Sequence, residues 1–570
     1  MRKARWRMKP TPKGSVVEQL RSELGVPGTI AQLMAQRGIT SYQEAESFFK
    51  PRLEDLHDPF TMADLEKAAD RLHTALEQEE RILVYGDYDV DGTTAVALVY
   101  TFLEPYTEHL DFYIPDRYAE GYGLSRTGME YAVDNDFDLI IALDCGVKAI
   151  EEITWVQERG VDVIVADHHR PGAQLPPAYA VLDPKRSDCD YPFKELCGAG
   201  VGFKLMQGLS RKKGLDEQAL VRFLDLVAVA IAADMVPVTG ENRILSYFGL
   251  ERLNTEPSPG LQAFVRLSKV ANRLSSTDVM FKIAPKINAA GRMEHGRLAV
   301  ELLIEKDGQL ALQKAHGLET ANEERRRTDE STTLEALAQI ENEISEDAYS
   351  TVVYQPEWHK GVVGIVASRL IEKFYRPTVV LTKSNGVLAG SARSVHNFDV
   401  YAALEACSEH LEQFGGHMYA AGMTLREEQL EGFKAAFEEV VGERITEHQR
   451  QREIEIDLEV DIDELSPKFY RLLRRFEPFG PENPVPVFCA RELRTRSPYV
   501  MAIGKQRDHL KMTLTGEGAT KSMEAIGFGM SEWVPSLENG HSFHAVFELN
   551  ENHWMGHTTL QLLVKDLDLT

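Results

Sequence analysis

Residues 81–92 read Arg81-Ile-Leu-Val-Tyr-Gly-Asp-Tyr-Asp-Val-Asp-Gly92. An apolar run is followed at once by three alternating carboxylates, Asp87, Asp89 and Asp91, between Gly86 and Gly92. Two later runs have the same form. Phe137-Asp-Leu-Ile-Ile-Ala-Leu143 ends at Asp144, and Val161-Asp-Val-Ile-Val-Ala166 ends at Asp167, His168 and His169. Runs this continuous fit parallel strands buried on both faces. Helical patterns over 93–104 and 124–135 separate strand patterns over 81–85 and 110–115 and the two later runs, which is the texture of an open α/β sheet. In such a sheet the functional groups belong at the carboxyl ends of the strands. The acids and imidazoles just named all stand at such ends.

Crowded carboxylates need compensation. Two unit charges ~4 Å apart repel by about 4 kcal/mol at an effective dielectric of 20. Divalent metals are the usual answer, and hard oxygen ligands with one or two imidazoles suit Mn²⁺ or Mg²⁺ better than structural zinc. On an extended chain the side chains of His168 and His169 diverge, so one is expected to ligate metal while the other faces substrate or a neighbouring metal. Two metals bridged by one carboxylate can activate water and stabilise the leaving oxygen of an in-line displacement. Asp144 is the candidate bridge, and Asp234, after the apolar helical stretch 221–233, is a further candidate ligand. Solvated surface aspartates remain the bland alternative for the triple alone. Cys145, beside Asp144, reads as a packing thiol.

Working outward, residues 1–60 are a polar, partly helical lead-in, and 61–300 hold the acidic centre. Residues 301–349 read as a long polar connecting helix whose charge run at 323–327 is expected to be a solvated face. A second, smaller α/β unit occupies 350–448. From 449 to 570 the pattern turns to short strands, as in a small oligonucleotide-binding-type barrel.

Three segments outside the acidic centre look like phosphate grips. They are a loop at 286–292 with Lys286, Asn288 and Arg292, the strand end with Ser391 and Arg393, and a Gly-Gly-His turn at 415–417 with Gly416 and His417. Residues 117–123 are a candidate cleft lining. In the barrel, Arg494, Arg496, Lys505, Arg507, His509 and Lys511 are interspersed with Tyr499 and Phe528. That mixture fits a single strand of nucleic acid, with a packing barrel as the alternative.

The chain has 570 residues and a formal net charge of −26. So acidic a protein can hold a polyanion only through cations focused on one surface. The five cysteines include no Cys-x-x-Cys pair, which excludes a zinc ribbon and a thioredoxin-type site. No apolar stretch is of membrane-spanning length. The basic residues 1–14, including Arg2, Lys3, Arg5, Arg7, Lys9 and Lys13, precede no apolar core of a signal peptide, and are expected to be a frayed tail. A cytoplasmic location with reduced thiols follows as the expectation.

The motifs at 86–92, 143–146, 167–169 and 233–237 together resemble the four motifs of the DHH-family phosphoesterases. Residues 415–422 resemble the signature of the associated DHHA1 domain. Trp358-His-Lys-Gly-Val-Val-Gly364, residues 288–292 and Phe476-Glu-Pro-Phe-Gly-Pro-Glu-Asn-Pro484 narrow the resemblance to the RecJ family, over roughly residues 60–570. The resemblance implies a DHH-type parallel-sheet domain joined by the long helix to a DHHA1 domain, plus an OB-type barrel. It implies a single-strand-specific DNA exonuclease, acting 5′→3′ with two Mn²⁺ or Mg²⁺ ions and releasing mononucleotides in DNA repair and recombination. Metal ligation falls to Asp87, Asp89, Asp91, Asp144, His168, His169 and Asp234, with Asp144, His168 and His169 as the catalytic group. Substrate contacts fall to Asn288, Arg292, Ser391, Arg393, Gly416 and His417. A single-strand-binding protein and a helicase are the partners implied, and a monomer is expected.

Lys286 stands where this family more often has Arg, and Ala392 where Gly is common, so altered affinity is expected. One rival is a DHH oligoribonuclease or cyclic-dinucleotide phosphodiesterase, which would have no use for a strand-guiding barrel. Another is a non-catalytic single-stranded-DNA-binding scaffold, which would be expected to have lost the motif carboxylates.

Overall fold

A computed structural model describes residues 4–270, 273–554 and 557–569. The chain divides into two compact units. The larger takes residues 8–291, 295–318 and 455–570. The smaller takes residues 1–7, 292–294 and 319–454. Among the described residues no helix is long and apolar enough to cross a membrane, and all five cysteines are free and buried.

The N-terminal basic stretch is not a frayed tail. Arg5–Met8 is a strand, β1. Arg5 and Arg7 both pair with Glu453, at 2.8 and 2.5 Å, and Lys9 pairs with Asp457 at 2.8 Å. Acids more than four hundred residues away order this segment, which no local pattern reveals. Arg2 and Lys3 lie outside the described residues.

The larger unit is built on five parallel strands: β2 (Ile82–Gly86), β3 (Leu110–Tyr113), β4 (Leu139–Leu143), β5 (Asp162–Ala166) and β6 (Ala180–Leu182). Their order is β3-β2-β4-β5-β6. The strand order reverses beside β2, so β2 and β4 flank the topological switch point where open sheets place their sites. β2 and β4 are wholly buried, as their continuous apolar runs require.

In the smaller unit β7 (Thr351–Tyr354), β8 (Thr378–Ser384), β9 (Val387–Arg393), β10 (Gln413–His417) and β11 (Ala420–Leu425) form a mixed sheet of order β10-β11-β9-β8-β7. The Gly-Gly-His segment is therefore the end of a strand and not a turn. The turn is Met418 and Tyr419. The polar helix runs Gly308–Glu343, shorter at both ends than 301–349, and residues 304–307 separate it from helix Arg297–Leu303. Its charge run at 323–327 is exposed except for half-buried Arg325, while Asp329 just beyond it is fully buried and pairs with Arg369 at 2.6 Å.

β12 (Glu453–Ile456) pairs with β1. The barrel follows, with β13 (Leu458–Glu459), β14 (Val487–Ile503), β15 (His509–Gly516), β16 (Met523–Gly527), β17 (Phe543–Trp554) and β18 (His557–Leu569). Their order is β13-β14-β15-β16-β18-β17, and pairing of β14 with β17 closes the ring. The N-terminal helices Gly14–Leu24 and Gly28–Gln36 share this barrel's core: Leu20, Ile30 and Leu33 join Phe476, Phe488, Phe543 and Phe547 in one buried cluster. The lead-in is thus part of the barrel's packing. Leu33→Ala should cost about 2–5 kcal/mol in urea unfolding, the penalty for an unfilled core site. A cost near zero would show that these helices do not share the core.

Candidate metal centre

The carboxyl ends of β2, β4 and β5 bring the acidic residues together. Asp89 caps the helix Val90–Leu103, accepting from Gly92 N–H at 3.0 Å. That fold-back carries Asp91 into the interior. Its two carboxylate oxygens accept from Gly198 and Ala199 N–H, at 2.6 and 2.7 Å, at the start of helix Gly198–Lys213. The helix N-terminus supplies positive potential to this buried acid. Gly198 carries no motif signal in the sequence, yet a Cβ there would stand 2.5 Å from Asp144 Cβ. Asp144 itself has φ 59°, a left-handed conformation that costs a non-glycine residue roughly 1–2 kcal/mol.

His168 Nε2 is the point of convergence. It lies 3.2 Å from Asp144, 3.5 Å from Asp234 and 3.8 Å from Asp91. Neither His168 Nε2 nor Asp144 Oδ1 has a hydrogen-bond partner, though both are buried. Burial, then the charge of His169, lowers the His168 pKa to about 3, so the ring is neutral near pH 7. The carboxylates move the other way. Burial, then the neighbouring charge of Asp89, raises Asp91 to about 7. Desolvation, then Asp91 and Asp89, raises Asp234 to about 8. Asp87 and Asp144 are raised well above the carboxylate range, first by burial and then by neighbouring aspartates. Crowded carboxyl groups that resist ionising without a compensating charge, a neutral imidazole and unpartnered ligand atoms make a set fitted to cations.

Two overlapping groups could hold an ion: Asp144, His168 and His169, and Asp91, His168 and Asp234. His168 belongs to both groups. Asp87 and Asp89 fall outside these groups, although Asp87 keeps one buried oxygen without a partner.

Asp167 serves His169. Its Oδ1 accepts from His169 Nδ1–H at 2.8 Å, and its Oδ2 from Val147 N–H at 3.0 Å. This contact leaves His169 Nε2 free of Asp167, 3.2 Å from the Tyr122 hydroxyl. Burial opposes a charge on His169, but the Asp167 hydrogen bond overcomes it and raises the pKa to about 9. Asp167 falls to about 2, since the His169 contact outweighs its own burial. The 117–123 segment does reach the site through Tyr122. Cys145 is buried and its thiol pKa pushed far up, as a packing residue requires.

The 286–292 segment is helical, within Ala284–Met293, and not a loop. Asn288 lies half-buried on it, and Gly291 packs against the Tyr88 backbone, 2.8 Å from a built Cβ.

Within the smaller unit, strand register gathers the other candidates. His417 pairs with Ala420, which pairs with Arg393, and Gly415 pairs with Gly422, which pairs with Ser391. His417, Arg393 and Ser391 therefore share one face of the sheet. Arg393 donates to Ser391 Oγ at 2.8 Å, and both lie against Gly364 at the start of helix Val363–Phe374. Arg292 donates to Gly361 O at 3.1 Å just before that helix. Gly416 has φ 145°, and a Cβ would strike the Ala420 carbonyl at 2.4 Å.

On the barrel, Tyr499 and Phe528 are 56% and 61% exposed. Phe528 meets His509 edge-on at 5.0 Å. Arg494, Arg496, Lys505 and Arg507 are exposed, whereas Lys511 is half-buried and pairs with Glu524 at 3.5 Å.

The shifts fix a pH dependence for the metal-free protein. Asp91, Asp234 and His169 all have folded pKa values above their ordinary ones, so the stability they contribute is complete at low pH. It is lost as pH rises through about 7, 8 and 9 respectively. His168, depressed to about 3, has the opposite sign but changes nothing above its ordinary 6.5. Metal-free protein should therefore melt at lower temperature near pH 8.5 than near pH 6.5, and saturating Mn²⁺ should raise the melting temperature more at the higher pH. Calorimetry with and without chelator tests this, and equal or greater stability of the chelated protein at the higher pH would refute it.

Three family models match the chain: the DHH family N-terminal domain over residues 81–231, the DHHA1 domain over 347–443 and the RecJ OB domain over 456–566. The chain is 35% identical to the single-stranded-DNA-specific exonuclease RecJ of Bacillus subtilis over 567 residues, which are 99% of this chain and 71% of that protein. The crystal structure of RecJ in complex with Mn²⁺ from Thermus thermophilus is similar at a TM-score of 0.84 and 29% identity, covering 100% of this chain and 80% of that one. The same protein's complex with Mg²⁺ gives a TM-score of 0.78 at 27% identity, covering 99% and 78%. With the three domains matched in order and the full-length relative above 30% identity, the chain belongs to the RecJ family.

Proposed function

We propose that this protein degrades single-stranded DNA from the 5′ end, hydrolysing phosphodiester bonds with two Mn²⁺ or Mg²⁺ ions and releasing 5′-mononucleotides. The observation that carries the reading is the convergence of Asp91, Asp144 and Asp234 on an unprotonated His168 Nε2. Asp87, Asp89, Asp91, Asp144, His168, His169 and Asp234 would hold the ions. Bound there, the ions supply Lewis acidity toward water and the phosphoryl oxygens.

The protein's own groups do the rest. Asp167 fixes the His169 ring and its tautomer through Nδ1–H. Gly198 and Ala199 N–H hold Asp91 in place. Ser391, Arg393, His417 and Arg292, with the glycine backbone at Gly416, bind phosphate oxygens, and Asn288 contacts the nucleotide. Tyr499 and Phe528 give bases a stacking surface beside exposed arginines and Lys505. Selection against duplex is then steric, without base reading. The setting is the cytoplasm, in repair and recombination, with the protein working as a monomer beside a single-strand-binding protein and a helicase.

Digestion of 5′- and 3′-labelled single-stranded DNA, with Mn²⁺, Mg²⁺ or chelator and a duplex control, tests the reading. Label should leave the 5′ end first as mononucleotide, only with metal. Asp144→Ala should lower the rate by at least about a hundredfold, the scale on which one charge-stabilising group is felt. Near-normal hydrolysis by this variant would sink the assignment.

The barrel's share is measured separately. Tyr499→Ala and Phe528→Ala should each weaken binding of a long oligonucleotide by about 1–3 kcal/mol while leaving dinucleotide cleavage unchanged. Filter binding in chelator reads the first, and product chromatography the second.

A further inference from the structure

We propose that the loop Phe476-Glu-Pro-Phe-Gly-Pro-Glu-Asn-Pro484, which leads into the barrel, is a positioning element that sets the direction of Asp234 in the metal centre. The inference rests on the reading of Asp234 as a metal ligand.

Asp234 is the last residue of helix Leu224–Asp234, and Met235 after it turns left-handed at φ 58°. Displacing the chain beyond this turn would displace the last helical residue, Asp234, with it. The chain beyond is held by this loop. Val238 N–H donates to Pro481 O at 2.9 Å. A Cβ on Gly480 would stand 2.4 Å from Val238 Cγ2, so the loop and the ligand-bearing segment are in tight register. Pro237 O accepts from Asn242 Nδ2 at 3.0 Å, fixing the residue between.

The loop is itself rigid. Gly480 and Asn483 exchange backbone hydrogen bonds at 3.0 and 3.1 Å. Asn483, 1% exposed, donates from Nδ2 to Phe476 O and Pro478 O, both at 2.8 Å. Ser276 Oγ donates to Phe479 O at 2.5 Å. Arg243, on the helix Gly240–Thr255 that follows Val238, donates to Phe476 O and Glu477 O, both at 3.0 Å. This buried guanidinium also donates to Phe48 O at 3.1 Å, so the bonds it makes here are to carbonyls. A buried cation spent on loop carbonyls is costly as packing alone, but it fixes the loop against the segment that ends in Asp234. The barrel region thereby supports a ligand on the other side of the unit's sequence.

The test is Mn²⁺ binding to the full chain by isothermal titration calorimetry, with thermal unfolding in chelator as the check on folding. Gly480→Ala should press on Val238 and weaken Mn²⁺ binding by about tenfold, the lower end for a group that orients a ligand. Adding Val238→Ala should remove the clash and restore the affinity. The KM for a long single strand should stay unchanged in Gly480→Ala while kcat falls. If Gly480→Ala does not fold, Ser276→Ala replaces it, with binding expected to be about threefold weaker through the loss of one hydrogen bond. Unchanged Mn²⁺ affinity in a folded variant, with a raised KM for the long strand, would reduce the loop to a tether and overturn the proposal. No Mn²⁺ binding by the unmodified protein would instead defeat the metal reading, and this inference with it.

Discussion

Asp87, Asp91 and Asp144 are buried together with a neutral imidazole, and Asp234 closes on the same nitrogen. No arrangement of these groups by themselves is favourable, because each desolvated carboxylate raises the cost of ionising the next. The surroundings hold them there all the same. A helix start is turned onto Asp91, and left-handed backbone is accepted at Asp144 and at Met235 beside Asp234. A carboxylate is reserved for orienting His169. Strain and like charge persist at one place only where neighbouring structure over-determines it and a ligand compensates it. The parallel sheet provides that rigidity, since β2 and β4 are buried on both faces and their ends have little freedom to relax apart.

The same constraint explains how support reaches the centre from distant sequence. Gly198, well over a hundred residues after the first aspartates, leaves the space in which Asp144 sits. The loop before β14 carries Pro481 to Val238. A charged cluster held by a single loop would relax by moving that loop. One held through several unrelated segments can relax only by disturbing each of them.

Residues whose environment is local could be read directly. The strands were legible because burial on both faces demands apolar runs, and the acids were legible because they stand at strand ends. The helix over Ala284–Met293 was not, because Lys286, Asn288, Gly291 and Arg292 have the composition of a phosphate loop. Its apolar residues Ile287 and Ala290, in helical spacing with Ile283 just before it, carry the packing. Consecutive glycines at 415 and 416 suggested a turn, yet they extend β10 because antiparallel pairing to β11 accepts residues without side chains. Gly198 and the N-terminal strand were invisible for a different reason. Their partners are remote in sequence, and one chain without its contacts gives no sign of them.

A net charge of −26 and a polyanionic substrate can coexist once charge is considered by location. Much of the basic side-chain inventory is committed internally: Arg5 and Arg7 to Glu453, Arg369 to Asp329, Arg243 to carbonyls. The candidate strand contacts are Tyr499, Arg494, Arg496, Lys505 and Arg507, exposed on the barrel, and the sheet face shared by Ser391, Arg393 and His417. Tyr499 and Phe528 would add stacking to whatever the cations contribute, and stacking needs unpaired bases. Preference for single strands would then follow from stacking as well as from the width of any entrance. A duplex hides the faces of its bases, so Tyr499 and Phe528 would have nothing to stack on.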